Sequence, residues 1–322
     1  MGSLLRPNQV WNTAILIAGD DPFDLADARE IALFNNRRLR LEAHAVHTRA
    51  DPFLFVERDQ LYLFVEEQRV GQAGHISAFR TRDLTHFEPL GQILHLPHHA
   101  SYPQVFRGEG AIHLLPETNL SGEVSLFTFD AFPGGLRKSA TLLRGNYDDP
   151  TIVEHAGHWW LFVSSSVGLE LYFSKALSGP YQRHPAGVIE THRARTRCGG
   201  AIINRGGQLY RPTQDYLTPS NCNLALMRID ELSTANYRET LAETIDFQRD
   251  RRWCELGGHH LSIAAFRGEM VIAVDGRSND YWWNRPISMV LRSVPRHRQP
   301  GPLDSDRRAG DHAPGTRPAP TV

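Results

Sequence analysis

Carboxylates recur in this chain beside short β-forming runs. Asp51, Asp148 and Asp149 open such runs, in ADPFLF and DDPTIV, while Glu66, Glu67, Glu117, Asp215 and Asp275 close others, in LYLFVEE, IHLLPE, TQD and VDG. With them come Tyr102, Arg197, Arg211, Gln214 and the pair His259 and His260. Gathered in one place, this set suits a polyhydroxylated ligand. Carboxylates accept hydrogen bonds from hydroxyls, an aromatic face covers the apolar side of a sugar ring, and two acids can divide the giving and taking of a proton. Each residue also has a plain structural use. An Asp before Pro can bond its own backbone in a turn, and strand alternation turns one of Glu66 and Glu67 away. Asp275 stands in a turn-like VDGR, and Arg211 before Pro212 can clamp an anion or neutralise the acids around it.

The element that could gather them is a repeat. Five segments align: ADPFLFVERDQLYLFVEE from Ala50, SYPQVFRGEGAIHLLPET from Ser101, DDPTIVEHAGHWWLFVSS from Asp148, GGAIINRGGQLYRPTQD from Gly199 and HHLSIAAFRGEMVIAVDG from His259. The second residue of each serves as an anchor. The anchors are Asp51, Tyr102, Asp149, Gly200 and His260, at intervals of 51, 47, 51 and 60 residues. Every segment runs into β-forming residues, turns through a Gly-bearing or charged corner and returns. A third strand-like stretch follows in four units (HISAFR, VSLFTF, LELYFS, LALMRI) and a fourth in three (HFEPLG, LRKSATLL, PYQRHP).

Four short strands per unit of about fifty residues predict an all-β fold, a five-bladed β-propeller with four-stranded blades. A β-sandwich shares the turn spacing but offers no reason for a recurring anchor. Residues 50–293 are expected to form the propeller, and residues 1–49 to supply an N-terminal strand and a face-crossing segment that complete it, with room for one short helix over 20–45. The Pro- and Arg-rich tail, 294–322, lacks the apolar residues to offset its ordering entropy and is expected to be disordered. In a blade the first strand lines the channel and the second runs antiparallel to it. First-strand starts and second-strand ends therefore share one face, which unites the residues above across more than two hundred positions.

Composition narrows the partners. Lys plus Arg number 35 against 36 Asp plus Glu, so no basic field draws in nucleic acid, and no apolar stretch reaches the ~18 residues of a membrane span. Cys198, Cys222 and Cys254 are an odd number without a CxxC pair, which speaks against a disulfide scaffold or a structural zinc and for a reducing, cytoplasmic setting. No His and Asp spacing resembles a transition-metal site. No catalytic metal or other cofactor is expected, a weakly bound Ca²⁺ in the channel being the one ion such carboxylates would suit. There is also no Walker loop, GxGxxG or GxSxG.

The motifs ADPFLF, LYLFVEE, GHISAF, SYPQVF, IHLLPET, YDDPTIVEH, HWWLFVSS, GGQLYRPTQD and HHLS, in that order over residues 10–292, resemble the N-terminal domain of glucosamine inositolphosphorylceramide transferases and its stand-alone bacterial relatives. That domain is in turn similar to the five-bladed propellers of glycoside hydrolase families 43, 62 and 32. The resemblance implies a carbohydrate-active enzyme, a glycosyltransferase or a glycoside hydrolase, in bacterial surface polysaccharide or glycolipid metabolism. It makes Asp51 the general base or nucleophile and Asp149 the aspartate that orients the acid. The hydrolases place their acid at the start of blade four, where this chain reads Thr196-Arg197-Cys198-Gly199-Gly200. Glu67 or Glu117 is then the expected substitute. The other possibility is a sugar-phosphate leaving group, met by Arg197, Arg211 and the histidines, which needs little acid help. Glu66, Tyr102, Gln214, Asp215, His259 and His260 complete the expected binding set. The alternative is a non-catalytic glycan-binding scaffold supporting a partner transferase.

Overall fold

Runs of branched and aromatic residues broken by Gly and charged corners make strands throughout, and the computed structural model is all-β. It describes residues 8–34, 46–69, 71–192, 194–218, 221–247 and 251–280. Among these the helical content is one 3₁₀ turn, Asn119–Ser121.

Two strands, β1 (Asn8–Ile17) and β2 (Arg29–Phe34), precede the repeats. The first segment yields β3 (Val46–Glu57) and β4 (Gln60–Arg69), followed by β5 (His75–Thr81) and β6 (Glu88–Leu94). The second yields β7 (Ser101–Gly108), β8 (Ala111–Glu117), β9 (Glu123–Ala131) and β10 (Gly134–Arg144). The third yields β11 (Asp148–His155), β12 (His158–Ser165), β13 (Gly168–Ser174) and β14 (Gln182–Glu190). The fourth yields β15 (Ile203–Arg205), β16 (Gln208–Thr218), β17 (Asn221–Leu232) and β18 (Tyr237–Ile245), and the fifth β19 (Leu261–Phe266) and β20 (Glu269–Asp280). Strands β7–β10, β11–β14 and β15–β18 form three four-stranded sheets. The remaining eight strands form one sheet in the order β19-β20-β1-β3-β4-β5-β6, with β2 on β1. There β1 pairs antiparallel with β20 from Asn8↔Asp280 to Ile17↔Val271, but meets β3 only through the parallel pair Trp11↔Thr48.

One expectation is corrected, and one strand without a sequence signal is added. The helix allowed over 20–45 is absent from the described part of that stretch. Arg29–Phe34 is instead a strand on the edge of β1, because Leu33 packs into one apolar cluster and Ile31, Ala32 and Phe34 into another. Strand β18 gave no clear apolar signal because its sequence, YRETLAETI, is largely exposed while its backbone completes the ladder with β17. Residues 35–45 and the expected disordered tail, 294–322, lie outside the described residues.

Apolar faces of neighbouring sheets pack together. Phe64 and Ile76 meet Leu114 and Phe127 in one cluster, and Phe53, Tyr102, Trp160 and Phe162 meet Cys198 and Leu209 in another. The three cysteines are buried and unbridged.

Four of the five anchors have positive φ. Asp51, Tyr102 and Asp149 have φ of 51°, 47° and 46°, and Gly200 has 144°. Left-handed φ costs a non-glycine residue free energy, so three such residues at equivalent positions mark a strained, repeated feature. At the first three the register slips, between Ala50 and Phe53, Ser101 and Gln104, and Asp148 and Thr151. Each slip contains a proline (Pro52, Pro103, Pro150), which has no N–H to lose from the ladder and is tolerated at such bulges. At Gly200 an added Cβ would meet the Leu261 carbonyl oxygen at 2.1 Å, so the fourth unit requires glycine.

Candidate active site

Each bulge withdraws the anchor's N–H from the ladder, and a buried N–H must find an acceptor elsewhere. The acceptors are the residues singled out by type. The Asp51 N–H donates to Asp275 Oδ2 (3.2 Å), that of Tyr102 to Asp51 Oδ2 (3.2 Å), and that of Asp149 to Glu117 Oε2 (2.9 Å). The Gly200 N–H donates to the Tyr102 hydroxyl (2.9 Å). The carboxylates are thus strung from unit to unit by the same bulge that strains the backbone.

Asp51 is 6% exposed. Its Oδ2 serves Tyr102, while Oδ1 is buried without a hydrogen-bond partner, 3.8 Å from His259 Nε2 and 3.7 Å from His260 Nδ1. Burial raises the Asp51 carboxyl to about 7, with Asp149 and Asp275 adding to the rise and His259 and Arg197 opposing it. Asp149, equally buried, is gripped by Arg197 through Nε to Oδ2 (2.6 Å) and Nη2 to Oδ1 (2.9 Å), and Gln214 Nε2 donates to Oδ2 (2.8 Å). Burial raises this carboxyl to about 7 as well, Arg197 opposing and Glu117 assisting. Arg197 Nη2 also reaches Glu117 Oε2 at 3.2 Å, so one guanidinium is shared by two carboxylates. Burial raises Glu117 too, against the pull of Arg197.

Asp275 is fully buried and accepts three backbone N–H bonds, from Asp51, His259 and His260. Burial alone would raise its pKa, but His259, whose Nδ1 is 2.5 Å from Oδ2, and those amides hold it below the usual range. Burial works against a charge on His259, yet Asp275 and Asp51 raise its pKa. Its ring stacks on Trp11 at 4.1 Å. His260 is fully buried, and burial pushes it down to about 3, which makes it neutral. Asp51, His259 and Asp275 bring potential ligand atoms within 4.8 Å of one another. Because His259 and Asp275 already engage each other, the trio reads as an ion-paired network, and a Ca²⁺-like ion would have to break it.

Other expected residues are placed differently. Arg211 is fully buried, and its Nε and Nη2 pair with Glu239 at 2.9 and 2.6 Å, while the Tyr237 hydroxyl donates to Glu239 at 2.6 Å. It is a structural ion pair, and burial closes the rest of the guanidinium, Nη1 included, to a ligand. Tyr102 is likewise buried, with its hydroxyl held by Thr151 (2.8 Å) and the Gly200 carbonyl (3.0 Å), so its ring offers no stacking face. Alternation separates the glutamates. Glu67 turns to Arg49 (3.1 Å), Arg69 (3.3 Å) and His75 (3.7 Å), whereas Glu66 has the carboxylates Asp51, Glu117, Asp275 and Asp149 for electrostatic neighbours. Asp215 meets Arg195 at 3.4 Å. Asp275 is no turn residue, since β20 runs on through it to Asp280. Trp11, His99 and Glu239 escaped the sequence reading because each reaches its partner through the tertiary fold and sits in no repeated motif.

A sequence model of the family described as "Glucosamine inositolphosphorylceramide transferase 1, N-terminal" matches residues 38–277. The chain is 31% identical over 243 residues to glucosamine inositolphosphorylceramide transferase 1 of Arabidopsis thaliana, covering 70% of this chain and 32% of that protein. The protein of the same name from Oryza sativa subsp. japonica is 31% identical over 243 residues, covering 70% and 33%. The chain thus spans about a third of the length of these curated relatives. In structure it is similar to an α-L-arabinofuranosidase from Clostridium thermocellum, with a TM-score of 0.54 and 12% identity over 70% of this chain and 81% of that one. An α-L-arabinofuranosidase from Podospora anserina, solved with cellotriose, gives a TM-score of 0.52 and 12% identity over 71% and 90%. At such identities the likeness concerns the fold, which is that of the propeller glycoside hydrolases. No helix among the described residues is long and apolar enough to cross a membrane.

Proposed function

This chain belongs to the family of the glucosamine inositolphosphorylceramide transferase 1 N-terminal domain, and from that premise we propose that it is a carbohydrate-active enzyme acting on a glycosidic bond at the Asp51 and Asp149 cluster. The scaffold in this proposal is five-bladed. Strands β7–β10, β11–β14 and β15–β18 are three blades, and the eight-stranded sheet is read as two, β3–β6 and β19-β20-β1-β2, touching at Trp11↔Thr48. The N-terminal strand then completes the last blade. The biological setting we favour is surface polysaccharide or glycolipid metabolism, in keeping with the inositolphosphorylceramide in the name of the plant relatives.

One observation carries the reading. Asp51 presents a buried carboxyl oxygen with no hydrogen-bond partner, flanked by two histidines, beside a second carboxylate held rigidly by an arginine. An unsatisfied buried acceptor is costly, and it is what a base or nucleophile needs toward a hydroxyl or an anomeric carbon. Of the cations expected to meet a phosphate, Arg211 is buried against Glu239, Arg197 gives Nε and Nη2 to Asp149 and Glu117, and His259 pairs with Asp275, which favours a hydroxyl-rich ligand over an anionic one.

The test is a product screen by NMR against free glycosides, sugar phosphates and nucleotide sugars. On whichever class is turned over, Asp51→Asn and Asp149→Asn should each cost about 10²–10⁴-fold in kcat. Unchanged turnover in both would refute the assignment. A second reading, a glycan-binding scaffold for a partner transferase, draws on the Arg197 pair, since a carboxylate already neutralised by arginine is less available for chemistry. It predicts weakened binding in the same variants and no product from any donor.

A further inference from the structure

We propose that Glu66 is the proton donor of this site, with His99 as its positioning residue, an assignment that rests on the glycosidic reading above. The start of the fourth unit, where Arg197, Cys198 and Gly200 stand, has no acid to offer, and the Tyr102 hydroxyl occupies the Gly200 backbone there. Glu66 lies in the last half of β4, in register with Ala50, the residue preceding Asp51, so the hairpin itself brings the two carboxyls to one rim.

Three features set Glu66 apart from the other acids. Glu117, Asp149 and Asp275 accept N–H bonds that fix them as acceptors, and Glu67 is paired with two arginines. Glu66 is 8% exposed, and among the described residues it meets no Arg or Lys; the basic side chain nearest to it is His99, with Nε2 3.4 Å from Oε1. The Gly74 N–H donates to His99 Nδ1 at 3.1 Å, which makes Nδ1 the acceptor and places the proton of a neutral imidazole on Nε2, the ring nitrogen that lies 3.4 Å from Glu66 Oε1. Burial lowers the His99 pKa, consistent with a neutral ring. Oε2, the oxygen on the far side from His99, is the one we assign the acid proton. A Cβ at residue 74 would lie 2.6 Å from the His99 ring and 2.9 Å from Glu66 Oε1, so glycine there makes room for the pair. The charged groups around Glu66 are the carboxylates Asp51, Glu117, Asp275 and Asp149, and with burial they favour its protonated form.

In the reaction Glu66 gives its O–H proton to the glycosidic oxygen while the bond from that oxygen to the anomeric carbon breaks and leaves its electron pair on oxygen. A hydroxyl, of water or of an acceptor sugar, forms the new bond to the anomeric carbon and yields its proton to Asp51. Glu66 then recovers a proton from solvent and Asp51 loses one, which restores both groups.

Two measurements decide the matter. In protein carrying ¹³C-carboxyl glutamate, the resonance removed by Glu66→Gln should belong to a group still protonated at pH 7, and an ionised carboxylate at that pH would overturn the proposal. With alkyl and 4-nitrophenyl glycosides of one sugar, Glu66→Gln should lose at least about 100-fold in kcat on the alkyl compound but under about 10-fold on the nitrophenyl one, whose leaving group needs no proton. His99→Ala should lower kcat on the alkyl glycoside with KM unchanged. Equal losses on both glycosides would refute the donor role. Failure of the wild-type protein to turn over any glycoside would remove the glycosidic reading itself, and this assignment with it.

Discussion

Replacing Asp51 by asparagine should stabilise the protein, and the pH dependence of the gain is set by the site. Burial raises the Asp51 carboxyl from 3.8 to about 7. The folded state therefore holds a proton that the unfolded chain has already released between those values, and stability must fall as pH rises through that window. About three pH units at about 1.4 kcal/mol each bring the cost of ionised Asp51 to about 4 kcal/mol at neutral pH. Asparagine keeps an oxygen for the Tyr102 N–H and never ionises. The difference between Asp51→Asn and wild type should thus be small near pH 4, grow to about 4 kcal/mol by pH 7, and level off above it. Urea denaturation at pH 4, 5, 6, 7 and 8, followed by tryptophan fluorescence, measures this directly. A variant less stable than wild type at pH 8, or a difference that does not change with pH, would refute the reasoning, because either would mean that Asp51 is ionised and well solvated in the fold.

Arg211→Met should lower stability by about 3–5 kcal/mol by stranding the buried Glu239, and the double variant with Glu239→Met should recover much of that loss, while ligand affinity of the folded protein is unchanged. Denaturation and binding titrations together separate this structural role from a ligand clamp, which would lose affinity first. Gly200→Ala should abolish soluble folding, since its Cβ would lie 2.1 Å from a carbonyl oxygen at φ 144°. Gly206→Ala, also at positive φ but with open space around it, should cost only about 1–2 kcal/mol. Comparable yields of the two variants in soluble expression would contradict the crowding argued for the fourth anchor.

The repeat was legible because strand period and turn chemistry are local. Asp51, Tyr102, Asp149 and Gly200 stood at equivalent positions in the linear chain, and antiparallel geometry alone then put Glu66 and Glu117 near them. The individual role of each side chain was not legible, because it depends on which way the chain points it and on who meets it there. Glu66 and Glu67 are adjacent in sequence, yet one faces four carboxylates and the other two arginines. Arg211 looked like an anion clamp until Glu239 and Tyr237, from β18, enclosed it, and no periodicity announces a partner 28 residues away on a largely exposed strand.

The sequence by itself determined the all-β class, the repeated unit and the short set of candidate site residues, since all of these follow from local patterns of residue type. Only the tertiary structure decided which carboxylates are bound up with backbone N–H groups or arginine and which are not. That choice depends on where the bulge N–H groups and the guanidinium of Arg197 come to lie, and long-range packing alone sets those positions.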